Sequence, residues 1–152
     1  IFMCDLSDDT NDIIKYFKII KKDKNLHSVF GTRFSKFSKV KNYPFFKLIL
    51  NRLANNLIKI ITLTDYNDFT NAFKIYKKET LNKLMPLVSE NFNIFLELPL
   101  KIISRKYKYK VIPINWNGRT TGISKFKIKE IGSMYIFTLC YCLLEKILLN
   151  KK

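Results

Sequence analysis

The sequence predicts one mixed α/β domain, because short runs rich in β-branched and aromatic residues interleave with longer segments of helical period along the chain. A length of 152 residues supports one hydrophobic core rather than two independent ones. Hydrophobic residues make up 47% of the chain, with only four Gly and four Pro, which excludes disorder, collagen-like repeats and a disulfide scaffold. No repeat of fixed period is visible.

Residues 1–4 read as the apolar end of a strand that runs directly into Asp5, and 5–10 as an acidic turn. Ile13, Ile14, Phe17 and Ile20 then recur at helical spacing, and Asp8, Asp9 or Thr10 can cap that helix by accepting its free N–H groups. A strand is expected over 29–34, followed by a basic loop with Lys36, Lys39 and Lys41 that Pro44 closes. In the helix expected over 45–62, Phe45, Leu48, Ile49, Leu53, Leu57, Ile60 and Ile61 cover more than one stripe. Such a helix packs on one side and leaves a greasy surface on another, for the core or for a membrane. A loop over 65–71, a strand over 72–76, a short helix from Glu79, a helix over 93–104 and a strand over 108–115 complete the alternation.

Residues 134–144 carry no charge, but 11 residues fall short of the roughly 20 that a spanning helix needs. With Lys125, Lys127 and Lys129 upstream and Tyr135, Phe137 and Tyr141 within, the segment is expected to lie in a membrane interface. The plainer alternative is a helix docked on the core.

Lysine and arginine outnumber the acids 28 to 12, a formal charge of +16, so the surface attracts nucleic acid, nucleotide phosphates or anionic lipid. Nucleic acid is the poorest match, since the chain has no zinc knuckle, no aromatic RNA-binding signature and no clear helix-turn-helix. Cys4, Cys140 and Cys142 lack the spacing of a zinc site and read as buried or lipid-facing residues in a reducing compartment. His27, the single histidine, reads as structural or exposed.

Four segments carry chemistry: MCDLSDD (3–9), GTRF (31–34), NDFTNAFK (67–74) and RTTGISKFK (119–127). An acid at the carboxyl end of a strand sits where α/β sheets bind ligands, and its hard oxygens suit a divalent ion bridging a diphosphate. Read alone, the same acidic run is a solvated helix cap. Arg33 offers a planar fork suited to phosphate oxygens. Asp68 and Thr70 by themselves read as a turn with a side-chain cap. Arg119, Ser124 and Lys125 can hold a diphosphate, with Gly122 letting the backbone approach, or each basic residue can be plain solvated surface.

Taken together and in this order, the segments resemble the family 2 glycosyltransferases of the dolichol-phosphate-mannose-synthase kind. MCDLSDD is similar to that family's Asp-x-Asp metal motif, with Asp5 on its second acid and Met3 where the first is expected. GTRF is similar to its Gly-x-Arg strand end, NDFTNAFK to its Asp-x-Thr-x-x-Phe-Lys/Arg block, and RTTGISK to its Arg-x-x-Gly-x-Ser-Lys loop. The resemblance implies the C-terminal half of a Rossmann-like GT-A domain with a mostly parallel sheet and a C-terminal amphipathic helix. It implies Asp68 and Glu97 as catalytic residues, Arg33, Arg119, Ser124 and Lys125 as donor- or phosphate-binding, and Asp5, Ser7 and Asp8 as ligands of Mg or Mn. It implies inverting transfer from a nucleotide-sugar donor to a polyprenyl phosphate, or to another lipid or glycan acceptor, by a cytoplasmic protein peripheral to or embedded at the membrane surface.

On this reading residues 1–126 are a partial catalytic domain whose nucleotide-binding half is missing, and 127–152 a basic apolar helix at the membrane. The fragment alone is then expected to be inactive. The competing expectations are an inactive remnant, or a basic membrane-surface or anion-binding module without catalysis. Trp116 and Asn117 are expected to shape the acceptor side, and in a repaired full-length protein Asp68→Asn is expected to abolish transfer while sparing folding.

Overall fold

A computed structural model describes residues 1, 7–118 and 128–149, and the side chains among them apart from those of 128–131 and 149. Asp5, Arg119, Ser124, Lys125 and Cys4 lie outside these described residues.

Strand β1 (Ser28–Thr32) is the centre of a three-stranded sheet among the described residues. It runs parallel to β4 (Tyr109–Pro113) on one side and antiparallel to β3 (Lys74–Tyr76) on the other. The main sheet is therefore small and mixed, and parallel pairing holds in two of the three strand pairs among the described residues, a pattern compatible with part of a Rossmann-like domain. Two-residue strands β2 (Val40–Lys41) and β5 (Trp116–Asn117) form a second, parallel pair. Asp8 extends it with an antiparallel bridge to Trp116.

Every residue of β1 is buried, so both faces of the sheet are covered. The alternation of a strand sends neighbours to opposite faces. Val29 joins Ile112, Tyr16 and Ile20 beneath helix α1 (Thr10–Lys22). Phe30 joins Ile58, Tyr66, Phe69, Leu96 and Leu98 on the other face, under helices α2 (Phe45–Thr62) and α4 (Ile94–Ser104). Asp9 caps α1 by accepting from the Asn11 N–H at 2.9 Å.

Helix α3 (Lys78–Lys83) and the loop after it lead into α4, which carries Pro99 in its interior. Pro has no N–H, so the Phe95 carbonyl one turn back loses its helical partner. The buried Lys74 ammonium donates to that carbonyl at 3.2 Å, and also to Phe69 O at 2.9 Å and to Asn71 O. A lysine thus ties the segment before β3 to a helix that proline would otherwise leave with an orphaned acceptor.

Helix α5 (Ile128–Leu149) packs on α4. Cys142 enters the core, Asn93 Nδ2 donates to Thr138 Oγ1 at 3.0 Å, and Glu145 pairs with Lys101 and Arg105. Its apolar residues encircle the helix rather than forming one stripe, which differs from the two-faced helix expected. Ile136, Phe137, Leu144, Ile147 and Leu148 remain exposed on the side away from α4. No helix among the described residues is long and apolar enough to cross a membrane.

The greasy side of α2 is also open. Phe45, Phe46, Ile49, Leu53, Leu57 and Ile60 are exposed there, while Asn55, Ile58 and Thr62 are buried.

Candidate functional site

Ligands in α/β sheets collect beyond the carboxyl ends of the parallel strands. Here β1 and β4 share that end, and the chain continues from it into Arg33 and into Ile114–Gly118. The antiparallel strand β3 starts at this same end, because Lys74 pairs with Phe30. The topology therefore delivers residues 67–73 to the point where β1 stops, and Asp68 meets Arg33 across 35 residues of sequence.

Asp68 is fully buried and accepts three bonds from Arg33: the main-chain N–H at 2.8 Å, Nε at 2.9 Å and Nη2 at 2.7 Å. This is the fork-on-carboxylate geometry that makes an arginine pair strong and directional. Burial alone works against a charged guanidinium, but the Asp68 carboxylate and its hydrogen bonds outweigh that and hold Arg33 protonated. The Arg33 guanidinium lies over three rings, at 5.2 Å from Phe34 and 5.7 Å from each of Tyr43 and Trp116. Burial also raises the Tyr43 hydroxyl, so it stays neutral beside them.

Nearly every residue of NDFTNAFK holds this corner together. Asn67 accepts from Thr32 Oγ1 at 2.7 Å and donates to Phe34 O at 2.9 Å. Phe69 fills the core, and its N–H is held by Asn55 Oδ1 at 2.6 Å. Thr70 accepts from Asn51 at 2.8 Å, and Asn71 donates to Gly31 O at 3.2 Å. Tyr66 donates to Asp68 O at 2.6 Å. Gly31 has no alternative, since a Cβ would stand 2.8 Å from Tyr16 Oη and 2.9 Å from Phe73 O. Lys74 lies under this loop, where burial pushes its ammonium down to about 7 against the opposing pull of Asp68.

Beside the Arg33 cage lies an open cleft of about 340 Å³, lined by Ser7, Asp8, Asp9, Lys39, Lys41, Asn115, Trp116 and Asn117. Trp116 belongs to both, stacking with Tyr43 at 4.8 Å. The Asn117 N–H donates to Ser7 O at 3.0 Å, and Gly118 N–H to Lys41 O at 2.9 Å. Gly118 is required at that closure, because a Cβ would overlap the Asn42 carbonyl.

The placement of the sequence-predicted residues is therefore specific. Arg33 and Asp68 are bonded to each other. Ser7 and Asp8 line the adjoining cleft, with Lys39 and Lys41 facing the same space. Ser7 lies two residues after Asp5 and touches Asn117, two residues before Arg119. The hard oxygens of Asp8 and Ser7 suit Mg or Mn, an ion that takes one or two carboxylates and completes its shell with phosphates and water. No cluster of three His, Cys, Asp or Glu side chains that could hold a metal occurs among the described residues.

Glu97 sits elsewhere. It is fully buried, accepts from Val88 N–H at 3.0 Å and Ser89 N–H at 2.8 Å, and pairs with Lys101 at 3.1 Å. Burial alone would raise its carboxyl, but the bonds from Ser89, Val88 and Lys101 outweigh it and carry it below the ordinary value of 4.5. Its contacts organise the loop between α3 and α4 and, through Lys101 and Glu145, the docking of α5.

Sequence reasoning missed Tyr43, Asn55, Tyr66 and Arg52, all of which surround the corner. A polar or charged residue on the inward stripe of a greasy helix was the available signal for Asn55 and Arg52.

No family model matches the chain. It is similar to the polyprenol monophosphomannose synthase of Mycolicibacterium smegmatis, 25% identical over 114 residues, covering 67% of this chain and 43% of that protein. The chain thus spans less than half the length of that relative. The likeness supports a relationship to glycosyltransferases of the dolichol-phosphate-mannosyltransferase kind.

Proposed function

We propose that this chain carries the acceptor and diphosphate side of a sugar transferase, moving a sugar from a nucleotide-sugar donor to a polyprenyl phosphate. One observation carries the reading: the Arg33–Asp68 pair, the acidic segment at Ser7–Asp8 and Trp116–Gly118, which directly precede Arg119 in sequence, adjoin one cleft at one rim of the sheet. The likeness to a synthase whose name specifies a polyprenol monophosphate product supports the choice of acceptor.

On this reading an oxygen of the acceptor phosphate attacks the anomeric carbon as its bond to the nucleoside diphosphate breaks on the opposite face. The configuration inverts, and the bonding pair leaves with the diphosphate. A phosphate is already a competent nucleophile, so no base has to remove a proton from it. Asp68, bonded through both oxygens to Arg33, positions that guanidinium at the acceptor side instead of abstracting a proton. Arg119, Ser124 and Lys125, together with Lys39 and Lys41, neutralise the leaving diphosphate. A divalent Mg or Mn at Asp5, Ser7 and Asp8 would supply further charge neutralisation on the diphosphate. Glu97 acts from a distance by fixing the loop before α4.

The protein works at the cytoplasmic face of a membrane on the same reading. The exposed apolar residues of α2 and of the outer side of α5, with a net charge of +16, are what an anionic interface binds. The second reading, an inactive remnant, is favoured by Met3 at the position of the first metal-motif acid.

Trp116 is the single tryptophan and lines the cleft, so its emission reports directly on occupancy. Titration with pyrophosphate in Mn or Mg is expected to change that emission saturably, and to lose the change when the ion is chelated. A flat titration into the millimolar range with folded protein removes the diphosphate assignment.

A further inference from the structure

The Lys74 ammonium stands between the 67–73 loop, which carries Asp68, and helix α4. Its Nζ donates to three main-chain carbonyls: Phe69 O at 2.9 Å, Asn71 O, and Phe95 O at 3.2 Å. The first two flank Thr70 in the loop, and the third is the carbonyl that Pro99 deprives of its helical N–H. The side chain is 3% exposed, so these bonds are not shared with bulk solvent.

An ammonium has three N–H donors and satisfies all three carbonyls, whereas a neutral amine has two and leaves one acceptor unpaired. Phe95 O is the farthest of the three, so it is the one that a neutral amine gives up. The surrounding charges act in both directions. Burial is the largest influence and brings Lys74 down to about 7, Asp68 favours the charged form, and Arg33 opposes it. The Tyr66 ring lies 5.9 Å from Nζ, and burial keeps its hydroxyl neutral. The Ile1 amine donates to Lys74 O at 2.6 Å and adds like charge. From α4, Glu97 is turned to Val88 and Ser89.

We propose that Lys74 is the positioning residue of the Asp68 loop, and that its third proton is a removable link between this loop and α4. With the proton in place, the Arg33–Asp68 corner is braced against the helix that also holds Glu97 and packs on α5. Without it, the loop keeps its own two bonds and Phe95 O is released. The link operates whichever ligand the cleft takes.

Its pH dependence differs in sign from that of global stability. An unfolded lysine keeps its proton up to about 10.4, so between about 7 and 10.4 the unfolded chain binds more protons than the folded one, and stability rises with pH. The bond to Phe95 O is lost as pH rises through the start of that same window.

NMR of the full chain tests this, by following the Lys74 Cε and Nζ and the carbonyl carbons of Phe69, Asn71 and Phe95 from pH 6 to pH 9.5. Lys74 is expected to titrate with a midpoint below about 8. The Phe95 carbonyl is expected to move with that midpoint, and by more than the two loop carbonyls. In Lys74→Arg, which stays charged throughout, the Phe95 carbonyl is expected to hold still. The Ile1 amine is common to both proteins, so the difference between them belongs to Lys74. Urea denaturation is expected to show the folding constant of the native chain, relative to that of Lys74→Arg, rising about tenfold or more between pH 7 and pH 9.

A Lys74 midpoint above about 9 overturns the link. Carbonyl shifts that are absent, or equal at the three positions, overturn it as well, and so does a relative folding constant that ignores pH. If Lys74→Arg does not fold, the titration of the native chain decides alone.

Discussion

Replacing Asp68 by Asn removes one charge and almost no volume, yet the structure makes it a severe change. Asp68 is fully buried and Arg33 is 8% exposed, so the substitution leaves a guanidinium inside the protein with no counter-charge. Breaking a buried pair by removing one partner costs about 3–5 kcal/mol, against roughly 5–15 kcal/mol for a whole domain. For a chain of this size that corresponds to a fall in melting midpoint of roughly 10 °C. The sequence-based expectation that Asp68→Asn spares folding is thereby revised. Urea denaturation of Asp68→Asn, Arg33→Met and the double variant measures the point directly. Each single change is expected to cost about 3 kcal/mol or more, and the double change to cost less than the sum by at least about 1 kcal/mol. Strict additivity, or a cost under about 1 kcal/mol for Asp68→Asn, would refute the claim that the two side chains form one buried unit.

Other expectations follow from single contacts. Gly31→Ala forces a Cβ against Tyr16 Oη and the Phe73 carbonyl, and is expected to cost about 1–3 kcal/mol in urea denaturation. Glu97 has a lowered pKa in the fold, so its contribution is present above its unfolded value near 4.5 and is lost as pH falls through its folded value. Melting midpoints measured from pH 7 down to pH 3 should therefore fall in the native chain, with a shallower decline in Glu97→Gln. Exchanging the exposed Leu53, Leu57 and Ile60 together for Ser is expected to reduce co-sedimentation with anionic liposomes about tenfold or more and to leave the melting midpoint nearly unchanged.

The strongly periodic segments were legible in the sequence. The helix placed over 45–62 matches α2, and the strand expected over 29–34 contains β1, because a repeating apolar pattern reports which face is buried. Strands β2 and β5 escaped, since two residues carry no period. The strand expected over 72–76 is shorter, because Ala72 and Phe73 belong to the loop that Asn71 fastens to Gly31. The sequence singled out Arg33 and Asp68 separately, but their bond depends on the antiparallel placement of β3, which pattern alone does not dictate. Nothing in the sequence pattern marks Lys74 and Lys101 as buried, and the carbonyls and carboxylates around them explain why each is.

Sugar transfer at this cleft is tested most directly in a chimera in which this chain, which matches 43% of its relative, replaces the matching segment of the mycobacterial synthase. The measurement is the movement of labelled sugar from the nucleotide donor into the lipid-phosphate fraction. Lipid-linked product is expected from the folded chimera and none from its Asp68→Asn counterpart. A folded chimera that makes no product, or an Asp68→Asn chimera that turns over at the native rate, contradicts that expectation.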